Sequence, residues 1–188
     1  MLRKDVVRLV TSNAHKFEEM SHIAGEYGVK LEMLNAQKIE IQTDSLEDVA
    51  RYSALLLFEM YRVPLVVDDS GLFIEELKGF PGPYTNFVKK TLDIDGILRL
   101  MSGVKQRQAY FETVICYVDE REVRTFSGKV YGRITERPSG EKGFGFDPIF
   151  APEGSDKTFA EMTVDEKNKY SHRARAFRKF LEYYTGRQ

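Results

Sequence analysis

Two adjacent carboxylates at the end of an apolar run are the first place in this chain where chemistry could sit. Val66-Val67-Asp68-Asp69-Ser70-Gly71 carries a buried-looking strand straight into an acid pair. Neighbouring carboxylates at the end of a buried strand repel each other and lose solvation unless a cation or a proton compensates them. A divalent metal is the natural remedy, and an oxygen-only site suits magnesium, which keeps several waters and is completed by substrate phosphates. Successive strand residues point to opposite faces, so Asp68 and Asp69 should divide the work, one holding metal and the other orienting or deprotonating a water. Glu40 is an extra acid for the same centre. The plainer alternative is a turn in which Asp69 and Ser70 only cap the chain.

Three more stretches offer donors or flat surfaces. Thr11-Ser12-Asn13 precedes a helical pattern, where short side chains, free backbone N–H groups and the helix dipole favour an anion, and Lys16 lies one turn further on. A simple N-cap by Ser12 or Asn13 would explain the same residues without a ligand. In Glu166 to Arg173, Ser171 looks like a helix cap that puts His172 and Arg173 in the first turn. Cations there oppose the dipole, which is tolerable if an anion or a carbonyl oxygen sits between them, and Lys167 adds a further donor. Gly143-Phe144-Gly145-Phe146-Asp147 mixes glycines, which let another group approach, with aromatic faces on which a planar base can stack for ~1–3 kcal/mol. Asp147 can accept a ring N–H, whereas Phe150 reads as core. Gly79 to Tyr84, with its two prolines, is either a stiff pocket wall or only a turn.

The elements that must position these residues alternate. Val6 to Val10 is a short strand, followed by a polar loop and a helix marked by Phe17, Met20, Ala24 and Tyr27. A second amphipathic helix runs from Leu46 to Tyr61, is closed by Pro64, and leads into the strand Leu65 to Val67. Tyr110 to Val118 and Val123 to Ile134 alternate as long paired strands joined by an acidic turn. Tyr170, Ala174, Phe177, Leu181 and Tyr184 form the stripe of a terminal helix, and Thr163 with Glu166 reads as a capping box. The pattern predicts an α/β protein with a mixed sheet. No repeat or linker divides the 188 residues, so one domain over 1–188 is expected.

Composition excludes several classes. A formal net charge of −1 rules out a broad grip on polymeric nucleic acid, so any anion site is local. The longest apolar run, Ala54 to Phe58, is far below the ~20 residues of a membrane span, and the start MLRKDVVRLV lacks a signal-peptide pattern, so a cytoplasmic protein with no membrane partner is expected. Cys116, the sole cysteine, reads as a small buried hydrophobe.

Four segments in this order, TSNxxK, VVDDSGLxxxxLxGxPGxY, GFGFDPIF and FAEMTxxEKNxxSHR, resemble the inosine triphosphate pyrophosphatase family, the XTP/dITP diphosphatases. The resemblance spans nearly the whole chain. It implies an ITPase-like (anticodon-binding-like α/β/α) fold: a long twisted mixed β-sheet flanked by helices, with two lobes and a central cleft. It also implies a homodimer that uses Mg2+ to hydrolyse ITP, dITP and XTP between the α and β phosphates, cleansing the nucleotide pool. Carried onto this chain, the resemblance makes Thr11, Ser12, Asn13 and Lys16 triphosphate binders and Glu40 and Asp68 metal-associated acids. Asp69 becomes the principal catalytic acid, also at the metal, with Ser70 and Gly71 at the phosphate end. Phe144 stacks on the purine, with Gly145, Phe146 and Asp147 closing the base pocket. Lys167 binds phosphate or base edge, and Ser171, His172 and Arg173 address the 6-keto oxygen. The sequence departs from the family where many relatives carry a lysine and this chain has Ser53: either Arg51 substitutes or this triphosphate contact is absent.

Overall fold

Hydrophobic alternation along one central strand organises the computed structural model, which describes residues 6–186; Met1 to Asp5, the start of the segment read as leading into the first strand, lie outside them. In chain order the elements are β1 (Val6–Val10), α1 (Ala14–Glu26), β2 (Lys30–Leu34), α2 (Leu46–Tyr61), β3 (Leu65–Ile74), β4 (Pro81–Gly82), α3 (Thr85–Thr91) and α4 (Asp93–Leu100). They continue with β5 (Gln108–Val118), β6 (Val123–Ile134), β7 (Phe150–Pro152), α5 (Val164–Tyr170) and α6 (His172–Thr185). The strands form one mixed sheet in the order β2-β1-β3-β5-β6-β7, with β4 added beside β3. β1 is parallel to β2 and β3, while β3, β5, β6 and β7 are antiparallel in turn.

Leu65 and Val67 of β3 pack beneath α2, and Val66 packs on the other face against α1 and α6. Further along, Leu72 and Ile74 enter a separate core with Val88, Ile97, Phe111, Phe150 and Phe159. Asp68, Asp69 and Ser70 occupy the stretch where β3 passes from the first pair of cores to the last, which is where the two lobes meet. β1 pairs with β3 only at Val66 and Val67, and β4 joins at Leu72. The acidic stretch is therefore laddered to β5 alone among the described residues, and its other edge faces a gap. A crevice beyond the end of a parallel strand is the usual binding position in such sheets.

Two expectations need correcting. β3 does not stop at Val67: its register with β5 runs unbroken from Leu65 opposite Val118 to Ile74 opposite Ala109, so the acid pair lies inside the strand and is not a turn. The terminal stripe also begins later than Tyr170, because Ser171 is extended (φ −67, ψ 146) and its hydroxyl accepts from Ala174 N, ending α5 and capping α6. The hairpin holds as expected, with Asp119 Oδ1 accepting from Arg121 N and Glu122 N. So does the box at Thr163 and Glu166. Cys116 is buried, and burial pushes its thiol up to about 12. No described helix is long and apolar enough to cross a membrane.

Candidate active site

A cleft of about 640 Å³ opens at that gap. Thr11, Ser12, Asn13, Lys16, Glu40, Asp68, Asp69, Ser70, Phe144, Gly145, Phe146, Asp147, His172 and Arg173 all line it. Gly71, Lys167 and Ser171 do not. Gly71 is glycine for another reason: a Cβ there would lie 2.6 Å from the Gly82 carbonyl oxygen, so the close approach of β4 forbids a side chain. Ser171 is buried as the α6 cap, and Lys167 is buried with its ammonium 4.9 Å from the centre of the Phe144 ring.

At the acidic end, strand alternation sends the two aspartates to different partners. Asp68 turns toward α1 and α6, where its Oδ2 accepts from Lys16 Nζ at 2.9 Å and lies 3.6 Å from Arg173 Nε. Burial pushes the Asp68 carboxyl up, but Lys16 and Arg173 outweigh this and hold it well below the usual carboxylate range. Asp69 faces the other way. Its Oδ1 accepts from Lys38 Nζ at 3.0 Å, and its buried Oδ2 has no hydrogen-bond partner. Burial raises the Asp69 carboxyl above the ordinary value, and Lys38 and Lys16 offset this only in part. The same Lys38 ammonium is 3.0 Å from Glu40 Oε1. Among the described residues no group of three or more His, Cys, Asp or Glu side chains is placed to hold a metal alone. Magnesium asks for less, one or two carboxylates with phosphates and water, and the orphaned Asp69 oxygen beside Glu40 is a donor set of that kind.

At the start of α1, Asn13 caps the helix, its Oδ1 accepting from His15 N and Lys16 N, while Thr11 Oγ1 accepts from Asn13 N at 3.1 Å. The capping role and a place on the cleft wall coexist here. The stiff loop 79–84, which includes a cis Phe80–Pro81 bond, delivers Pro83 to the opposite wall, and α3 adds Asn86, Lys89 and Lys90.

The end of the cleft at Phe144 is closed by charge pairing. Gly143 adopts φ +72, and a Cβ on it would strike Asp147 Oδ2 at 2.2 Å, so only glycine lets this loop fold over the carboxylate. Asp147 Oδ2 accepts from Phe144 N at 2.9 Å and from Lys167 Nζ at 2.6 Å. Lys167 also donates to Glu19 Oε1, and Glu19 Oε2 accepts from Arg173 NH1, both at 2.6 Å. Arg173 NH2 reaches Ser70 Oγ at 3.3 Å, which joins this network to β3. The cationic groups of Lys167 and Arg173 lie 4.9 and 5.4 Å from the centre of the Phe144 ring, and His15 stacks with that ring at 5.7 Å. Phe146 is fully buried in the core while still touching the cleft, and Phe150 is core as expected. His172 stacks on Phe111 at 4.7 Å. Burial, reinforced by Arg173 and Lys167, holds its pKa well below the ordinary imidazole value, so the ring is neutral.

Sequence reasoning missed Glu19, Lys38, Lys89 and Lys90. Glu19 falls on the buried face of α1, at the spacing of Met20 and Ile23, and a charged residue at such a position was the available signal. Lys38 had only its alternation with Glu40. Ser53 is buried and donates to the Ile39 carbonyl at 2.6 Å, and neither it nor Arg51 lines the cleft; Lys38, between Gln37 and Ile39, brings the positive charge instead.

Comparison with known proteins gives the family and the fold. Residues 7–183 match the model of the Ham1 family. The dITP/XTP pyrophosphatase of Saccharolobus solfataricus is 53% identical over 184 residues, covering 97% of this chain and 96% of that protein. The dITP/XTP pyrophosphatase of Hyperthermus butylicus is 46% identical over 178 residues, covering 95% and 94%. The solved structure of a HAM1 protein from Coxiella burnetii superposes with a TM-score of 0.84 at 25% identity, covering 96% of this chain and 98% of that one.

Proposed function

The chain belongs to the Ham1 family, and we infer from that membership and from the cleft that it hydrolyses purine nucleoside triphosphates with non-standard bases, dITP and XTP among them, to the monophosphate and pyrophosphate. The observation that carries this reading is the shared hollow: Asp69 and Lys16 line one end of the same cleft whose other end is lined by Phe144 and Arg173.

A triphosphate repels an attacking hydroxide, so its charge must be offset before water can reach phosphorus in line. Mg2+, held by Asp69 and Glu40 with phosphate oxygens, supplies that neutralisation when bound. Lys16 contributes a cation from α1, while Asp68 is the counter-ion that fixes Lys16 and Arg173 in place. Asp69 Oδ2, which has no hydrogen-bond partner in the free site, takes the proton of the attacking water. Water then adds to phosphorus as the bond to pyrophosphate breaks, and no covalent enzyme intermediate is needed.

At the other end Phe144 supports the ring. Hypoxanthine and xanthine present a 6-keto acceptor, which suits the Arg173 guanidinium, whereas adenine presents an amino group. A buried donor left unpaired by the wrong base costs ~10⁴ in selectivity. The reading extends to a homodimer, supported by exposed Leu55, Met60 and Phe87, and to the cytoplasm, where the nucleotide pool is. Incubation with dITP, XTP, ITP, ATP and GTP plus Mg2+, followed by pyrophosphate assay, tests it: release from the first three and little from ATP is expected, and orthophosphate as product, or equal ATP turnover, would refute it.

A further inference from the structure

The cation most completely gripped at the acidic end belongs to none of the motifs. Lys38 Nζ lies 3.0 Å from Asp69 Oδ1, 3.0 Å from the Asp68 carbonyl oxygen and 3.0 Å from Glu40 Oε1. Two of the three N–H donors of its ammonium are hydrogen-bonded, to Asp69 and to the Asp68 carbonyl, and Glu40 is an ion-pair contact at the same distance. The set is two carboxylates and a carbonyl converging on one positive centre, the kind of hard oxygen set that a divalent cation takes. A second cation placed against Asp69 and Glu40 would repel the Lys38 ammonium at such distances, so each weakens the hold on the other.

Lys38 is also placed to leave. It lies in the stretch 35–45, which has no helix or strand, and Ser53 Oγ tethers that stretch at Ile39, between Lys38 and Glu40. The backbone is thus held, and the side chain lines the cleft with 17% of its surface exposed, so its ammonium reaches the space a ligand would enter. Asp69 Oδ2 has no partner in the same arrangement, so the bridge satisfies one oxygen of this carboxylate and leaves the other without a hydrogen bond.

We propose that Lys38 is a stand-in for the metal: in the nucleotide-free enzyme its ammonium bridges Asp69 and Glu40, and the incoming magnesium–triphosphate displaces it onto the phosphate oxygens. This rests on the pyrophosphatase reading above. It makes Lys38 a positioning residue in the free enzyme and a substrate-binding one in the complex. It also ties metal binding to nucleotide binding, because the displaced ammonium needs an anion to receive it.

The test is the binding of Mn2+ alone, read from the electron paramagnetic resonance of the free ion, in the wild type, Lys38→Met and Lys38→Gln. Removing the competing cation should tighten Mn2+ binding without nucleotide at least tenfold in either folded variant. In the wild type, a non-hydrolysable XTP analogue should tighten Mn2+ binding at least tenfold, and this arm needs no variant. Lys38→Met should also raise KM for XTP more than it lowers kcat. Variants that bind Mn2+ no more tightly than the wild type, or a wild-type affinity indifferent to the analogue, would overturn the proposal while pyrophosphate release from XTP stood. A wild type that releases no pyrophosphate would instead sink the underlying reading.

Discussion

The two ends of the cleft are built from similar residues to opposite effect. At the base end Glu19, Asp147, Lys167 and Arg173 are each at most 4% exposed, and every one of these charges meets an opposite charge at 2.6 Å. At the acidic end Lys16 and Lys38 keep 19% and 17% of their side chains exposed, Glu40 keeps 43%, and Asp69 Oδ2 has no partner. Charges are paired throughout the first, although the nitrogens Arg173 Nε and His172 Nδ1 lack hydrogen-bond partners there, whereas the second leaves a carboxylate oxygen without one. Buried ion pairs of good geometry cost much to disturb, so the base end is fixed before the ligand arrives. The acidic end keeps groups whose partners can change, which is what displacement at phosphorus requires. Shape recognition is thus rigid here and the chemistry adjustable.

This contrast can be broken at its chemical end first. Asp69→Asn keeps the shape and removes the base, so kcat for XTP should fall ~10² to 10⁴-fold while nucleotide binding persists in equilibrium dialysis. Unchanged turnover would remove Asp69 from the mechanism. At the closed end the expected loss is of stability: Glu19→Ala strips one partner from both Lys167 and Arg173, and about 3–5 kcal/mol should disappear from the denaturant-unfolding free energy. A loss below about 1 kcal/mol would mean that the network is not the fixed element described. The comparable substitution Glu40→Ala, on the open side, should cost less than about 1 kcal/mol, as for any exposed pair.

These placements were only partly readable in the sequence. Periodicity located the strands and helices because apolar spacing records which face is buried. It failed at Asp68 to Gly71, since polar residues inside a strand look like a turn unless the partner strand is known, and the partner, β5, comes some forty residues later. The cap at Ser171 was legible, because a serine ahead of a helical stripe has the chemistry of an N-cap; only Tyr170 was assigned to the wrong helix, since its spacing continues that stripe across the break. Motif resemblance brought Phe144, Asp147 and Arg173 to one place, but a buried lysine that supports the loop and an exposed one that binds substrate have the same letter. Hence Lys167 read as lining the site but is buried and does not line it. Lys38 was invisible for the converse reason, because its importance is a matter of where an irregular segment returns to the sheet.

Smaller effects sharpen the comparison. Phe144→Ala should weaken binding by the ~1–3 kcal/mol of one stacked base, a KM increase of roughly 5- to 150-fold with kcat changed far less. An unaltered KM would assign the ring to the core. His172 gives a pH signature. Burial beside Arg173, Lys167, Lys16 and Arg175 holds its folded pKa below the ordinary 6.5, so the unfolded chain takes up a proton that the folded one refuses. Its contribution to stability is complete above pH 6.5 and is lost as the pH falls toward the folded value, at most about 1.4 kcal/mol per pH unit. Unfolding free energies between pH 7.5 and 5.5 should fall faster for the wild type than for His172→Phe, and parallel curves would contradict a buried neutral imidazole.

The most direct measurement is a crystal structure with Mg2+ and an α,β-imido analogue of dITP. The account predicts the hypoxanthine ring against Phe144 with its 6-keto oxygen toward Arg173, and the triphosphate with its metal between Lys16 and the Asp69–Glu40 pair. A nucleotide bound elsewhere on the surface, or seated in the reverse sense with its phosphates at Asp147 and Lys167, would contradict it.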